Sequence, residues 1–228
     1  MKNMDRLFVL KSLMQHRHLK NYLEIGVFNG HIFFRIKSNF KIAVDPDFVF
    51  GNGRKAIKLL LNPYNRYNQY FEKTSDDFFA QDGPRLFQDK KIELALIDGM
   101  HECDYVIRDV EHTLNHAAPN AVIVLHDCNP LSAEAACSFK EWNYPGTWNG
   151  DVWKAILYFR SQRKDLTCFV LDADQGLGII VKQPATTLLP YDKEQISQFT
   201  YQDLALNRAE WLGLQPSDYF YDFFKIGA

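Results

Sequence analysis

The sequence predicts an α/β protein: a Rossmann-like, doubly wound sheet of about seven strands, mostly parallel, with a helical, aromatic-rich tail. Three observations predict it. Short apolar runs alternate with segments of helical period. Two of those runs, Ala95–Ile97 and Ala121–Leu125, are continuously apolar, as parallel strands covered on both faces are. The last two runs are joined only by Ala173, Asp174, Gln175 and Gly176, too short for a crossover helix, so they form an antiparallel hairpin.

The elements follow in order. The apolar positions after Met1 are interrupted by Lys11, and no small-residue cleavage site follows, so the start reads as an amphipathic helix and not a leader. Strands are expected at 21–27, 41–45, 67–72, 92–97, 120–126, 167–172 and 177–182, and helices at 30–37, 52–61, 75–81, 103–116 and 151–164. Gly150 and Asp151 look like a loop and an N-cap for the last of these. Pro184–Pro190 marks a boundary. It separates a domain over 1–183 from a helical extension over 184–228, with pieces near 192–212 and 216–225 that pack on the domain or on a second subunit.

Composition narrows the function. The 228 residues are 46% apolar and 24% charged, which suits one ordinary domain with its own core and excludes disorder. The formal charge of −2 leaves no footprint for nucleic acid or an anionic membrane, so neither is expected as a partner. No apolar run approaches the ~20 residues of a spanning helix. Cys103, Cys128, Cys137 and Cys168 form no C-x-x-C pair, which indicates neither a zinc knuckle nor a disulfide framework, and the cytoplasm is the expected compartment.

In an open α/β sheet, ligands bind beyond the carboxyl ends of the strands, so the strand-end residues carry the functional signal. The first strand ends in Glu24-Ile25-Gly26-Val27-Phe28-Asn29-Gly30. This is E-x-G-x-x-x-G, not the G-x-G-x-x-G of dinucleotide sites. A carboxylate there repels a pyrophosphate and attracts an ammonium group. The second strand ends in Asp45, nineteen positions after Gly26, where an acid can accept from two ribose hydroxyls. Thr74, Ser75 and Asp76 after the third strand suit either a helix N-cap or a turn beside a base. The fourth strand ends in Asp98-Gly99-Met100-His101 and the fifth in His126-Asp127. Ionisable groups converging in this way call for a ligand, a metal or a proton-transfer role. His112 and His116 read as a helix face, Asp109 as a solvated charge, Trp148 as a packing residue or a wall of the acceptor pocket, and Asp174-Gln175-Gly176 as a plain hairpin turn.

Over residues 20–182 these features together resemble the class I S-adenosylmethionine-dependent methyltransferases. The I-D-G-x-H strand end and later H-D resemble the small-molecule O-methyltransferase branch, similar to the catechol, macrolide-sugar and coumarin-antibiotic enzymes. The resemblance implies S-adenosylmethionine as cofactor, bound by Glu24, Gly26, Gly30, Asp45, Ser75, Asp76 and Asp98. It implies His101, in the place of that branch's Lys or His, as general base beside Asp98. It also implies a divalent ion, Mg or Mn, on Asp98, His126 and Asp127. His126 departs from the branch's oxygen donors, and an imidazole shifts the preference toward Mn, Fe or Zn, or toward no metal. The expected activity is O-methylation of a small polar acceptor such as a sugar or secondary metabolite. A homo-oligomer formed through the tail is a further expectation. Two competing readings are a non-catalytic S-adenosylmethionine-binding scaffold and a nicotinamide-dependent oxidoreductase; Glu24 and the glycine spacing oppose the latter.

Overall fold

A computed structural model describes residues 4–227. Eight strands, β1 (Asn21–Ile25), β2 (Phe40–Asp45), β3 (Asn68–Glu72), β4 (Ile92–Ile97), β5 (Ala117–Leu125), β6 (Thr167–Asp172), β7 (Leu177–Val181) and β8 (Gln215–Pro216), lie in the order β3-β2-β1-β4-β5-β7-β6-β8. The order reverses between β1 and β4, which is the switch point at which such sheets bind ligands. All seven expected strands are present, within a few residues of their expected ends. The two residues of β8 carry no apolar run and were not legible in the sequence. Among the described residues, no helix is long and apolar enough to cross a membrane.

The chain divides into two compact units. One comprises residues 6–100 and 108–122. It holds α1 (Arg6–His16), α2 (Asn52–Leu61), α3 (Ser75–Gln81) and α4 (Gly83–Leu86), with β1 to β4. Strand β1 pairs in parallel with β2 and with β4, and β2 with β3. Burial explains the pairing. Every residue of β2 is buried, as are Tyr22–Ile25 of β1, so each strand needs neighbours on both edges and cover on both faces. Val9, Leu10, Leu13 and Met14 form the buried side of α1.

The helix expected over 30–37 is not formed. Only Phe33–Arg35 makes a single 3-10 turn, and Ile36 is extended. Nine residues, 31–39, separate Gly30 from β2, and Phe33, Phe34 and Ile36 all point into the core. The carbonyls that a helix would satisfy internally find other donors. Lys41 is buried on β2, and its Nζ donates to the carbonyls of Phe33 (2.7 Å) and Ile36 (2.9 Å) and to Oδ1 of Asn65 (2.8 Å). Asn62 and Asn65 donate to the carbonyl of Phe34 at 3.0 and 3.1 Å. A side-chain network thus replaces one turn of helix.

The other unit comprises residues 101–107 and 123–227, with Met4 and Asp5. It holds α6 (Val152–Gln162), α7 (Lys193–Gln198), α8 (Tyr201–Leu212) and α9 (Tyr219–Phe224) with β6, β7 and β8. Helix α5 (Cys103–His116) and β5 each contribute residues to both units. Strands β6 and β7 form the expected antiparallel hairpin, and β8 adds to β6 in parallel. The tail packs on its own chain. Trp211 stacks on Trp153 of α6 (6.1 Å, 9°), and Tyr219 and Phe223 meet Phe169 of β6 edge-on. Helices α7 and α8 each open with a complete capping box, Asp192 with Gln195 and Thr200 with Asp203.

Replacing Lys41 with Met keeps the apolar stem and removes three donors. Each acceptor keeps one longer bond, from the Ile36 amide to the Phe33 carbonyl, from Asn62 Nδ2 to the Ile36 carbonyl and from Asn68 Nδ2 to Asn65 Oδ1, but loses its shorter bond to a charged donor, worth about 1.5–3 kcal/mol. Lys41→Met is therefore expected to lower the unfolding free energy by about that amount or more, read from urea denaturation with circular dichroism.

Candidate functional site

The glycine turn is the first part of the site. Three of its five residues, Gly26, Phe28 and Gly30, have positive φ (80°, 48° and 72°). At Gly26 the requirement is also steric: a Cβ would lie 2.1 Å from the carbonyl oxygen of Asp98, so only glycine lets the end of β1 meet the end of β4. At Gly30 a Cβ would strike the ring of Phe34. Asp45 fixes the turn from β2. Its Oδ2 accepts from the Phe28 amide (2.7 Å) and its Oδ1 from the Asp47 amide (2.8 Å). A carboxylate has about four lone-pair sites, so acceptor capacity toward a diol remains.

Glu24 sits deeper than its position in the motif suggests. It is buried, and the hydroxyl of Tyr22 donates to its Oε2 at 2.5 Å. Burial raises its carboxyl to about 8, opposed by the Tyr22 hydrogen bond and by the charges of Lys41 and Arg6, and aided by Asp98. Burial likewise pushes the Lys41 ammonium down to about 7 against the pull of Glu24. Asp98 closes the switch point: its amide donates to the carbonyl of Ile25, and its Oδ2 faces Nε of Arg6 at 3.5 Å. Arg6 was not legible as a site residue, because a lone cation on an N-terminal helix carries no motif.

Ser75 and Asp76 act on α5. The side chain of Ser75 hydrogen-bonds Asp109, which is buried rather than solvated; burial raises that carboxyl to about 7. Asp76 pairs with Nε of Arg108 (3.2 Å) and Nε2 of His112 (3.3 Å). Thr74 is the N-cap of α3, accepting from the Asp77 amide at 3.1 Å. His112 and His116 both stack on Phe79. The capping reading of this segment is thereby realised, and the two histidines form a packed helix face.

A separate cluster of polar side chains, in the other unit, gathers around Asp127. This residue is buried and has φ of 60°, a strained conformation for a side chain of its kind. Its Oδ2 accepts from Nδ1 of His126 (2.7 Å) and faces Nε2 of His101 at 3.4 Å. Its Oδ1 accepts from Nδ2 of Asn149 at 2.6 Å. His126 has its other nitrogen 3.6 Å from Oδ2 of Asp174, so the hairpin turn contributes a carboxylate. Both ring nitrogens of His126 therefore face carboxylates, and its visible work is to orient Asp127.

His101 is positioned from the 148–151 loop. Its ring stacks on Trp148 (5.1 Å), and Nδ1 lies 3.1 Å from the Trp148 carbonyl. Gly150 has φ of 61°, and a Cβ there would lie 1.8 Å from the His101 carbonyl, which instead accepts from the Asp151 amide. Asp151 makes no side-chain cap on α6. Its Oδ1 accepts from the Cys103 amide at the start of α5. A carbonyl only accepts, so Nδ1 of His101 carries hydrogen. Nε2 faces Oδ2 of Asp127, and a proton on Nε2 makes the two an ion pair. Asn149 adds to this. It is fully buried, and its Oδ1 has no hydrogen-bond partner.

Known proteins share this architecture. Residues 23–128 match the family model described as a methyltransferase domain. Cofactor-bound Rv0187 from MTB aligns with a TM-score of 0.58 at 10% identity, covering 81% of this chain and 83% of its own. The O-methyltransferase TomG of Streptomyces achromogenes, involved in tomaymycin synthesis and solved with S-adenosylmethionine, aligns with a TM-score of 0.57 at 15% identity, over 77% and 78% of the two chains. No curated protein matches the chain significantly. The matched segment holds the glycine turn and the strand ends at the switch point, and the solved structures share the fold of the chain.

Two outcomes are expected here. Gly26→Ala places a Cβ against the Asp98 backbone and is expected to lower the melting temperature sharply and abolish S-adenosylhomocysteine binding, by differential scanning fluorimetry and calorimetry. The buried carboxyls set a pH dependence. Glu24 and Asp109 bind protons more tightly folded than unfolded, so stability falls between the ordinary carboxyl range and pH about 7 to 8. Lys41 binds its proton less tightly when folded, so stability recovers as pH rises from about 7 toward the ordinary lysine range. Melting temperature against pH is expected to dip near neutrality, and Glu24→Gln to flatten the acid side.

Proposed function

We propose that the protein transfers a methyl group from S-adenosylmethionine to a hydroxyl of a small polar acceptor, with His101 as general base. The observation that carries this reading is the placement of His101, with Nδ1 3.1 Å from the Trp148 carbonyl and Nε2 3.4 Å from Oδ2 of Asp127. With its Nδ1 hydrogen directed at that carbonyl, the neutral ring takes a proton at Nε2. The acceptor's O–H proton moves to Nε2 as the oxygen takes the methyl group, and S-adenosylhomocysteine leaves. The imidazolium so formed faces Asp127, whose charge stabilises it. General base catalysis of this kind is worth ~10²–10⁴-fold.

The cofactor is assigned to the glycine-turn unit. Gly26 and Gly30 admit it closely, and Asp45 accepts from its ribose. Ser75 and Asp76 shape the base end by holding α3 to α5. TomG, solved with S-adenosylmethionine, supports the cofactor by its fold. The ring of Trp148 offers the acceptor a wall.

A divalent cation fits the donors around Asp127. The Asp127 carboxylate and the unpartnered Asn149 Oδ1 are oxygen donors for it, with Asp98, three residues before His101 in the sequence, as another, while Nε2 of His101 is kept for the proton. An oxygen set of this kind suits Mg or Mn. Such an ion, when bound, lowers the pKa of a hydroxyl and fixes its direction. His126 then serves as the orienter of Asp127. The cysteines form no disulfide, in keeping with the cytoplasm.

Calorimetry with S-adenosylhomocysteine and with NAD tests the cofactor; binding of NAD alone would overturn the assignment. His101→Ala is expected to leave S-adenosylhomocysteine affinity within about twofold while lowering methyl transfer at least about a hundredfold. Unchanged turnover would remove His101 from the mechanism. EDTA is expected to suppress activity and Mn to restore it, and full activity in chelator would remove the cation.

A further inference from the structure

Arg6 stands where helix physics disfavours it. It is the first residue of α1, and a cation in the first turn opposes the helix dipole. It lies three and four residues before buried Val9 and Leu10, so its stem follows the packed side of the helix. Helix α1 packs against β4, and the guanidinium emerges at the end of that strand. Its Nε is 3.5 Å from Oδ2 of Asp98, and the side chain is 27% exposed. Asp98 itself adjoins the glycine turn, where its carbonyl leaves no room for a Cβ on Gly26. Arg6 also acts on the end of β1. Burial raises the Tyr22 hydroxyl and the Glu24 carboxyl, and the Arg6 charge pulls both back down.

The charges at these strand ends are Glu24, Asp98, Lys41 and Arg6. Lys41 gives its protons to Phe33, Ile36 and Asn65. Glu24, raised by burial to about 8, is largely neutral at neutral pH. Of the four, Asp98 and Arg6 are then one anion and one cation beside the glycine turn. The head of an α-amino acid carries the same two charges. It can exchange this single ion pair for two, ammonium on Asp98 and carboxylate on Arg6, with every charge compensated. A guanidinium suits that part, because its donors form a planar fork that matches a carboxylate. We infer that Arg6 binds the carboxylate of the cofactor's amino-acid head, releasing Asp98 to the ammonium as it does so. This rests on the reading that S-adenosylmethionine occupies the glycine-turn unit.

The test is calorimetry of the full-length protein with S-adenosylhomocysteine, with its decarboxylated analogue, which keeps the ammonium, and with methylthioadenosine, which has neither charge. Arg6→Met keeps the apolar stem and removes the fork. It is expected to weaken S-adenosylhomocysteine about tenfold or more, as the loss of a charge-assisted pair does. Methylthioadenosine is expected to stay within about twofold. The decarboxylated analogue is expected to bind Arg6→Met at least as tightly as wild type, because no cation then competes for Asp98. Arg6→Lys, with the charge but not the fork, is expected to fall between the two proteins for S-adenosylhomocysteine. A merely structural role for Arg6 does not separate the ligands in this way. Equal weakening of all three, or an unchanged affinity for S-adenosylhomocysteine, would overturn the inference. So would tighter binding of S-adenosylhomocysteine by Arg6→Met, which would make Arg6 only a competitor of the ammonium. Wild-type protein that binds none of the three ligands would sink the cofactor reading together with the inference, whereas the other outcomes leave that reading standing.

Discussion

The buried ammonium of Lys41 is the interaction on which the glycine-turn unit depends. A lysine with no exposed surface is costly unless its protons are all used. Here three acceptors use them. Two are carbonyls of the segment that would otherwise be a helix, and the third is the side chain of Asn65, which also reaches the end of α2. One charge thereby fixes residues 33–36 and the exit of α2 together. Phe34, in that segment, is the residue against which Gly30 closes. The segment against which Gly30 closes and the exit of α2 are thus held by the same few hydrogen bonds.

The glycine turn and the Asp127 cluster differ in how they are stabilised. Around the glycine turn the geometry comes from backbone: positive φ at three residues, a β1 end that tolerates no Cβ, and a carboxylate occupied by amides. Around Asp127 it comes from side chains that converge on one carboxylate from separate stretches of chain. That carboxylate meets more donors than a structural ion pair needs. His126 and Asn149 hold its direction, and Nε2 of His101 lies 3.4 Å from it. Such an excess of polar groups in a buried place is tolerated where a proton or a cation comes and goes.

Much of this was legible in the sequence, because strand position is a local property. The seven strands, the hairpin and four of the five expected central helices follow from apolar period and turn residues. The strand-end residues Glu24, Gly26, Asp45, Asp98, His101 and Asp127 could be picked out because a parallel sheet puts strand ends at its ligand-binding edge. The helix over 30–37 failed for a non-local reason. Its apolar period was genuine, but too few residues separate Gly30 from β2, and the donor that replaced its hydrogen bonds sits on the next strand.

Sequence alone determined the class of sheet, its switch point and which residue types stand there, since these depend on order along the chain. Tertiary structure decided the roles. It buried Asp109 and Glu24, gave Ser75 and Asp76 to α5, and made His126 a support for Asp127. It also brought in Arg6, Asn149 and Asp174, which no motif marks. The reason is that burial, tautomer and pKa depend on what lies across a few ångströms of space, and neighbours in space are set by packing rather than by spacing.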